Sequence, residues 1–302
     1  MIAPHPRDQL HSIAIASGKG GVGKTHLTVS LAVILANRGQ RVLVVDADLG
    51  LANADLFLEV TPEYGVKHVV SGQVSIEDAL VESPLGVTLL SGLSDSTCDL
   101  SLESREKLAL LAALSSISHR FDVVLIDTSG GISDTSLFFC QGADEVLVVT
   151  TPEPTSLADS YALIRALVKR ARQPRVSLIV NQCVNERVAR AVHERLTGLS
   201  QRFLDLPLGL SGWLPFDAAV CAAVMRRLPV VCVSPQSQAS RRLHTLADRL
   251  GDPRHAGWPR SGLSLFVKPH ARAGGKIDPC SDQDHCGVGG FESGSAAAQG
   301  QR

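Results

Sequence analysis

Gly18-Lys19-Gly20-Gly21-Val22-Gly23-Lys24-Thr25 follows an apolar run, residues 13–17, without a break. A helical pattern comes next, in Leu27, Leu31, Ile34 and Leu35. Strand, glycine loop and helix in immediate succession match G-x-x-x-x-G-K-[ST], whose glycines let successive backbone N–H groups turn inward around phosphates with no Cβ in the way. On this reading Gly18, Gly20, Gly21, Val22 and Gly23 form the cradle. Lys24 brings charge to the β- and γ-phosphates, the Thr25 hydroxyl ligates Mg2+, and the helix N-terminus favours the anion.

A loop of this kind needs a parallel sheet behind it, and the chain supplies one. Strand candidates fall at residues 12–17, 41–46, 87–91, 122–127, 145–150, 176–181, 208–214 and 230–233. Most are continuous Val, Ile and Leu runs without polar alternation, as strands buried on both faces require. Between them lie helical stripes, such as Leu157, Tyr161, Ile164 and Val168, then Val188, Val192, Leu196 and Leu199. The alternation predicts an α/β fold, a doubly wound, mostly parallel sheet with helices on both faces and ligands beyond the carboxyl ends of its strands. The organisation expected is a short arm over 1–11, the loop-bearing domain over 12–251, a basic segment over 252–273 and a tail over 274–302. In that tail 13 of 29 residues are Gly, Ala or Ser, too few apolar groups to fold, so it is expected to be disordered.

Composition excludes several functions. A net charge of −1 and 4% aromatic residues argue against electrostatic wrapping of nucleic acid or stacking on single strands, and no sequence-specific nucleic acid is expected. No apolar run approaches the ~18–20 residues that span a bilayer, and no signal peptide opens the chain. Of the seven cysteines, four lie in apolar stretches (Cys140, Cys183, Cys221, Cys232), two in the tail (Cys280, Cys286), and the seventh is Cys98, which reads as reduced thiols of a cytoplasmic protein. The Cys280, His285 and Cys286 group has no zinc-ligand spacing.

Carboxylates end the strands that flank the loop. The second candidate ends in Asp46-Ala47-Asp48, where alternate positions point the same way, and the fourth ends in Asp127-Thr128-Ser129-Gly130-Gly131. Asn181 ends another apolar strand and offers both halves of its amide to a base. Pro215-Phe216-Asp217 forms a turn after the next.

The second lysine of the loop, Lys19, makes it resemble the deviant loop of the MinD/ParA class of P-loop ATPases. The resemblance implies a slow, regulatory ATP hydrolase with ATP and Mg2+ as cofactors. It also implies an ATP-dependent homodimer in which Lys19 reaches the nucleotide of the partner subunit. Asp46 would lie in the outer shell of the metal, Asp48 would position or activate the attacking water, and Asp127 would hold a Mg2+-bound water. Many members have Pro where Ser129 stands. Asn181, Pro215 and Asp217 would surround the adenine.

Three longer stretches are more specific: residues 48–55 (DLGLANAD), 127–134 (DTSGGISD) and 151–162 (TPEPTSLADSYA). They resemble the MinD-like flagellar number regulators FlhG and FleN. That implies a cytoplasmic bacterial protein associating peripherally with the inner membrane and acting through the flagellar GTPase FlhF and a flagellar transcription activator. Of the N-terminal activator pattern of that group only Asp8-Gln9-Leu10 is present. Leu263, Phe266 and Val267, flanked by Arg260 and Lys268 and stopped by Pro269, resemble the start of an amphipathic helix for anionic lipid. Three other outcomes use the same fold. A partition or septum-site ATPase would use Arg165, Lys169, Arg170, Arg172 and Arg175 as a basic surface. An iron–sulphur carrier would use Cys98 and Cys140. The last is a small-molecule kinase.

Overall fold

The computed structural model describes residues 10–50, 52–92, 101–170 and 175–251. Asp8 and Gln9, Cys98, Arg172, the 252–273 segment with Leu263, Phe266 and Val267, and the tail with Cys280 and Cys286 lie outside the described residues.

The apolar runs form β1 (His11–Ser17), β2 (Val42–Ala47), β3 (Leu80–Glu82), β4 (Thr88–Leu90), β5 (Val123–Gly130), β6 (Glu145–Thr150), β7 (Val176–Cys183) and β8 (Gly209–Pro215). They make one sheet in the order β3-β4-β2-β5-β1-β6-β7-β8. Every neighbouring pair is parallel except β3 with β4. β1 is flanked by β5 on one side and β6 on the other. The chain therefore winds outward in both directions from β1, and the loops at its carboxyl end diverge to leave a crevice.

The helices are α1 (Lys24–Asn37), α2 (Ala54–Leu58), α3 (Val66–Val70), α4 (Ile76–Ala79), α5 (Ser104–Ile117), α6 (Asp134–Gly142), α7 (Pro154–Arg170), α8 (Glu186–Leu204), α9 (Ala218–Met225), α10 (Val230–Val233) and α11 (Gln238–Gly251). Because side chains alternate along a strand, each central strand feeds two cores. Ile13, Ile15, Val44 and Leu125 pack with Leu31 of α1 and Leu243 and Leu246 of α11. Ala14, Ala16, Val45 and Ile126 pack with Leu110 of α5, Phe139 of α6, Leu163 of α7 and Val192 of α8.

α1 is more enclosed than its stripe suggests. From His26 to Leu35 every residue is buried, because α1 lies between the sheet and α11. A helix apolar all round is the mark of that position.

Three expectations are corrected. Residues 230–233 form α10 rather than a strand; four apolar residues carry no period of their own, and Pro229 at the N-cap starts a turn of helix. The buried stripe of α8 runs through Ala189, Val192, Leu196 and Ser200, so Val188 is only half-buried and Leu199 stands 37% exposed. β3 was not among the expected strands and is three residues long.

Leu31 is fully buried between the sheet and α11. Leu31→Ala is expected to cost about 2–5 kcal/mol, read as a lower urea midpoint at unchanged slope.

Candidate nucleotide site

The loop between β1 and α1 borders a cleft of about 1050 Å3 at the carboxyl ends of the strands. Of the residues expected there, Gly20, Gly21, Gly23, Lys24, Thr25, Asp48, Asn181, Pro215 and Asp217 line it. Gly18, Val22, Asp46 and Asp127 stand behind the lining, and Lys19 points away.

The loop backbone is held by contacts from two neighbouring strand ends. Asn181 Nδ2 donates to the Val22 carbonyl at 2.7 Å. Gly23, at φ +92°, has no room for a side chain, since a Cβ would meet Asn181 Nδ2 at 2.7 Å. The Gly131 N–H donates to the Ser17 carbonyl at 2.9 Å, and Gly130 lies so close that a Cβ there would come within 2.8 Å of Gly20 Cα. The segment after β5 thus rests on the loop through bare backbone.

Lys24 is buried, 7% exposed. Its ammonium donates to Ser17 Oγ at 3.0 Å and feels the Asp127 and Asp48 carboxylates, while burial pushes its pKa down. Asp127 accepts from the Thr25 hydroxyl and, at 3.4 Å, from Thr28 Oγ1. Asp46 accepts three backbone N–H groups at 3.1 Å, from Asp48, Asn53 and Ala54, and so shapes the turn into α2. Burial raises the pKa of both Asp46 and Asp127 above the carboxylate range, and the charge of Asp127 raises Asp46 further. Asp127 and Asp48 act on one ammonium, and Asp127 also meets the Thr25 hydroxyl. That donor set fits a divalent cation beside Thr25, and the glycine cradle with Lys24 fits the phosphates of a nucleotide.

At the far end, Asn181 uses each half of its amide within the protein: Nδ2 on Val22 and Oδ1 on the Gln182 N–H at 2.8 Å. One position remains on each half for a base. Asp217 caps α9 by accepting from Ala219 N–H at 2.9 Å, and its other oxygen takes Ala239 N–H at 3.0 Å, so it clamps α9 to the start of α11. Lys19 is 39% exposed in its side chain; its ammonium meets Glu153 Oε2 at 2.5 Å and Thr155 Oγ1 at 3.3 Å. Cys140 is buried and its thiol pushed up to about 12, which leaves it protonated and inert.

Other residues of the cleft gave no signal in the sequence. His26, Phe57, Val220, Val224, Met225 and Arg227 line it beside Ser129 of the strand-end motif, brought there from positions up to about two hundred residues apart. Ser129 shares a hydroxyl cluster with Ser133 and Ser136.

Glycine loop, buried lysine and strand-end carboxylates on a doubly wound sheet define a P-loop nucleotide-binding domain. A family model described as an AAA domain matches residues 10–178. Antiactivator FleN of Pseudomonas aeruginosa is 37% identical over 256 residues, 85% of this chain and 91% of that protein. Flagellum site-determining protein YlxH of Helicobacter pylori is 29% identical, over 85% of this chain and 88% of that protein. Among solved structures, the septum site-determining protein MinD of Pyrococcus horikoshii, complexed with Mg-ADP, aligns with a TM-score of 0.65 and 26% identity over 82% of this chain and 98% of that one. The chain belongs to the MinD/ParA-type ATPases, which use ATP with Mg2+, in the branch of FleN and FlhG.

The raised pKa values carry a consequence for pH. The folded protein holds the protons of Asp46 and Asp127 more tightly than the unfolded chain, so without metal these groups lower stability as pH rises from 3.8 through about 6 and about 8. Mg-ADP has to displace those protons. Its thermal stabilisation is therefore expected to be larger near pH 8 than near pH 6; equal shifts by scanning fluorimetry at the two pH values would contradict the arrangement.

Proposed function

We propose that this protein is an ATP-switched, dimerising regulator of flagellar placement and number, cycling between the cytoplasm and the cytoplasmic face of the inner membrane. The cleft-lining glycines and Lys24 bind the phosphates, Thr25 ligates Mg2+, and Asp46 and Asp127 hold its outer shell. The metal, when bound, neutralises charge on the phosphates. Asp48, half-buried at the lip of the cleft, positions the attacking water, and Asn181, Pro215 and Asp217 surround the base.

The observation that carries the dimer is Lys19. Its ammonium leaves its own cleft for the exposed Glu153 and Thr155, where a facing subunit can receive it. The cleft is rimmed by exposed apolar side chains, Leu56, Phe216, Val224 and Met225, the last 85% exposed. An apolar rim around a charged cleft suits burial against a second copy, with each Lys19 neutralising γ-phosphate charge across the interface. The flagellar role is supported by the similarity to an antiactivator and a flagellum site-determining protein. Its partners are then the GTPase FlhF and a flagellar transcription activator. No helix among the described residues is long and apolar enough to cross a membrane. The membrane contact of this reading is the 252–273 segment, whose Leu263, Phe266 and Val267 beside Arg260 and Lys268 suit anionic lipid.

Lys19→Ala is expected to bind ATP and remain a monomer, where the wild type becomes a dimer with ATP. Light scattering behind size exclusion reads both, and a Lys19→Ala protein that dimerises with ATP as the wild type does would overturn the reading.

A further inference from the structure

His26 follows Thr25 in the first turn of α1, where backbone N–H groups have no partner within the helix and face the cradle. Its side chain turns the other way. Nε2 accepts the Val230 N–H at 3.2 Å, the Leu228 backbone hydrogen-bonds the imidazole, and the ring stands edge-on to Phe57 of α2 with centroids 5.5 Å apart. It is 9% exposed. Burial pushes its pKa down to about 4, so the ring is neutral and keeps an acceptor nitrogen for Val230.

What His26 holds is the connector between α9 and α10. That connector passes through Arg227 at φ +56°, a conformation that non-glycine residues adopt rarely and only where the surroundings impose it. α9 itself is poorly anchored: of Ala218–Met225 only Ala223 is fully buried. Its position depends on the Asp217 cap at one end and on the connector at the other. Yet α9 and the connector supply Val220, Cys221, Val224, Met225 and Arg227 to one wall of the cleft, and Val224 and Met225 to its exposed rim.

We propose that His26 is a positioning residue of the nucleotide site, tying the α9 wall to the first turn of α1 so that seating the phosphates fixes the wall and its apolar rim. The inference rests on reading the cleft as a Mg-nucleotide site. A residue whose backbone lies in the cradle and whose ring bonds the opposite wall cannot shift at one end alone. The nucleotide therefore orders the 218–234 segment from its phosphate end, through one imidazole.

Hydrogen exchange on the full chain, with and without Mg-ADP, tests this. In the wild type, nucleotide slows exchange in both 18–27 and 218–234. In His26→Ala the slowing in 18–27 persists and that in 218–234 is lost; His26→Gln, whose amide oxygen can accept from Val230, restores it. The KM for ATP rises about tenfold in His26→Ala, in line with a buried N–H left unpaired. Retained slowing of 218–234 in His26→Ala overturns the proposal, and so does failure of His26→Gln to restore it. Loss of slowing in 18–27 of His26→Ala overturns it too, because the ring would then act on the loop itself. A wild type that shows no slowing in either segment removes the nucleotide reading and the proposal with it.

Discussion

The Lys24 ammonium sits almost out of water, with a hydroxyl for a hydrogen-bond partner and carboxylates within electrostatic reach. A buried charge of that kind is costly unless something of opposite sign completes it. Here the completion is divided. Asp127 and Asp48 supply part, but Asp46 and Asp127 are themselves buried deeply enough to hold their protons beyond the usual range. The cluster is balanced only when phosphate meets Lys24 and a cation meets the carboxylates. β1, β2 and β5 are adjacent in the sheet, and all three end at this point, so the fold exists around an arrangement that its ligand finishes.

The same dependence extends outward through the backbone. Asn181 near the end of β7 and the glycines after β5 press on the loop from two sides, which restricts its backbone and lowers the entropy lost on binding. The rim is different. α9 is apolar, little buried and tied down by a few polar contacts, so it belongs to the low-stability part of the molecule from which binding surfaces are drawn. A rigid cradle beside a loosely held apolar rim is what a nucleotide-dependent interaction surface requires. Lys19, parked on Glu153 outside its own cleft, lies on the same loop as the cradle.

Much of the fold could be read from residues 12–181 because parallel strands buried on both faces announce themselves as unbroken Val, Ile and Leu runs. The cradle could be read because eight consecutive residues carry it. What could not be read depends on contacts distant in sequence. Residues 230–233 are as apolar as a strand and form a turn of helix, since their length cannot distinguish the two. Leu199 matches the spacing of α8, yet the buried face lies one residue over, at Ser200, which the polarity of that residue concealed. The sequence points Asn181 and Asp217 toward a base, and the structure shows the bonds each makes within the protein. His26 was silent altogether, because its meaning comes from Val230, 204 residues away.

Service of Lys19 to the nucleotide of the facing subunit is tested by mixing two inactive proteins, Lys19→Ala and Asp48→Ala, each first shown to bind ATP, and following phosphate release. In the mixed dimer the Lys19→Ala subunit keeps its own Asp48 and receives Lys19 from its partner, so one complete site is formed and turnover returns. If Lys19 serves its own site, no subunit in the mixture has both residues. Turnover then stays at the level of the separate variants, and the account is wrong.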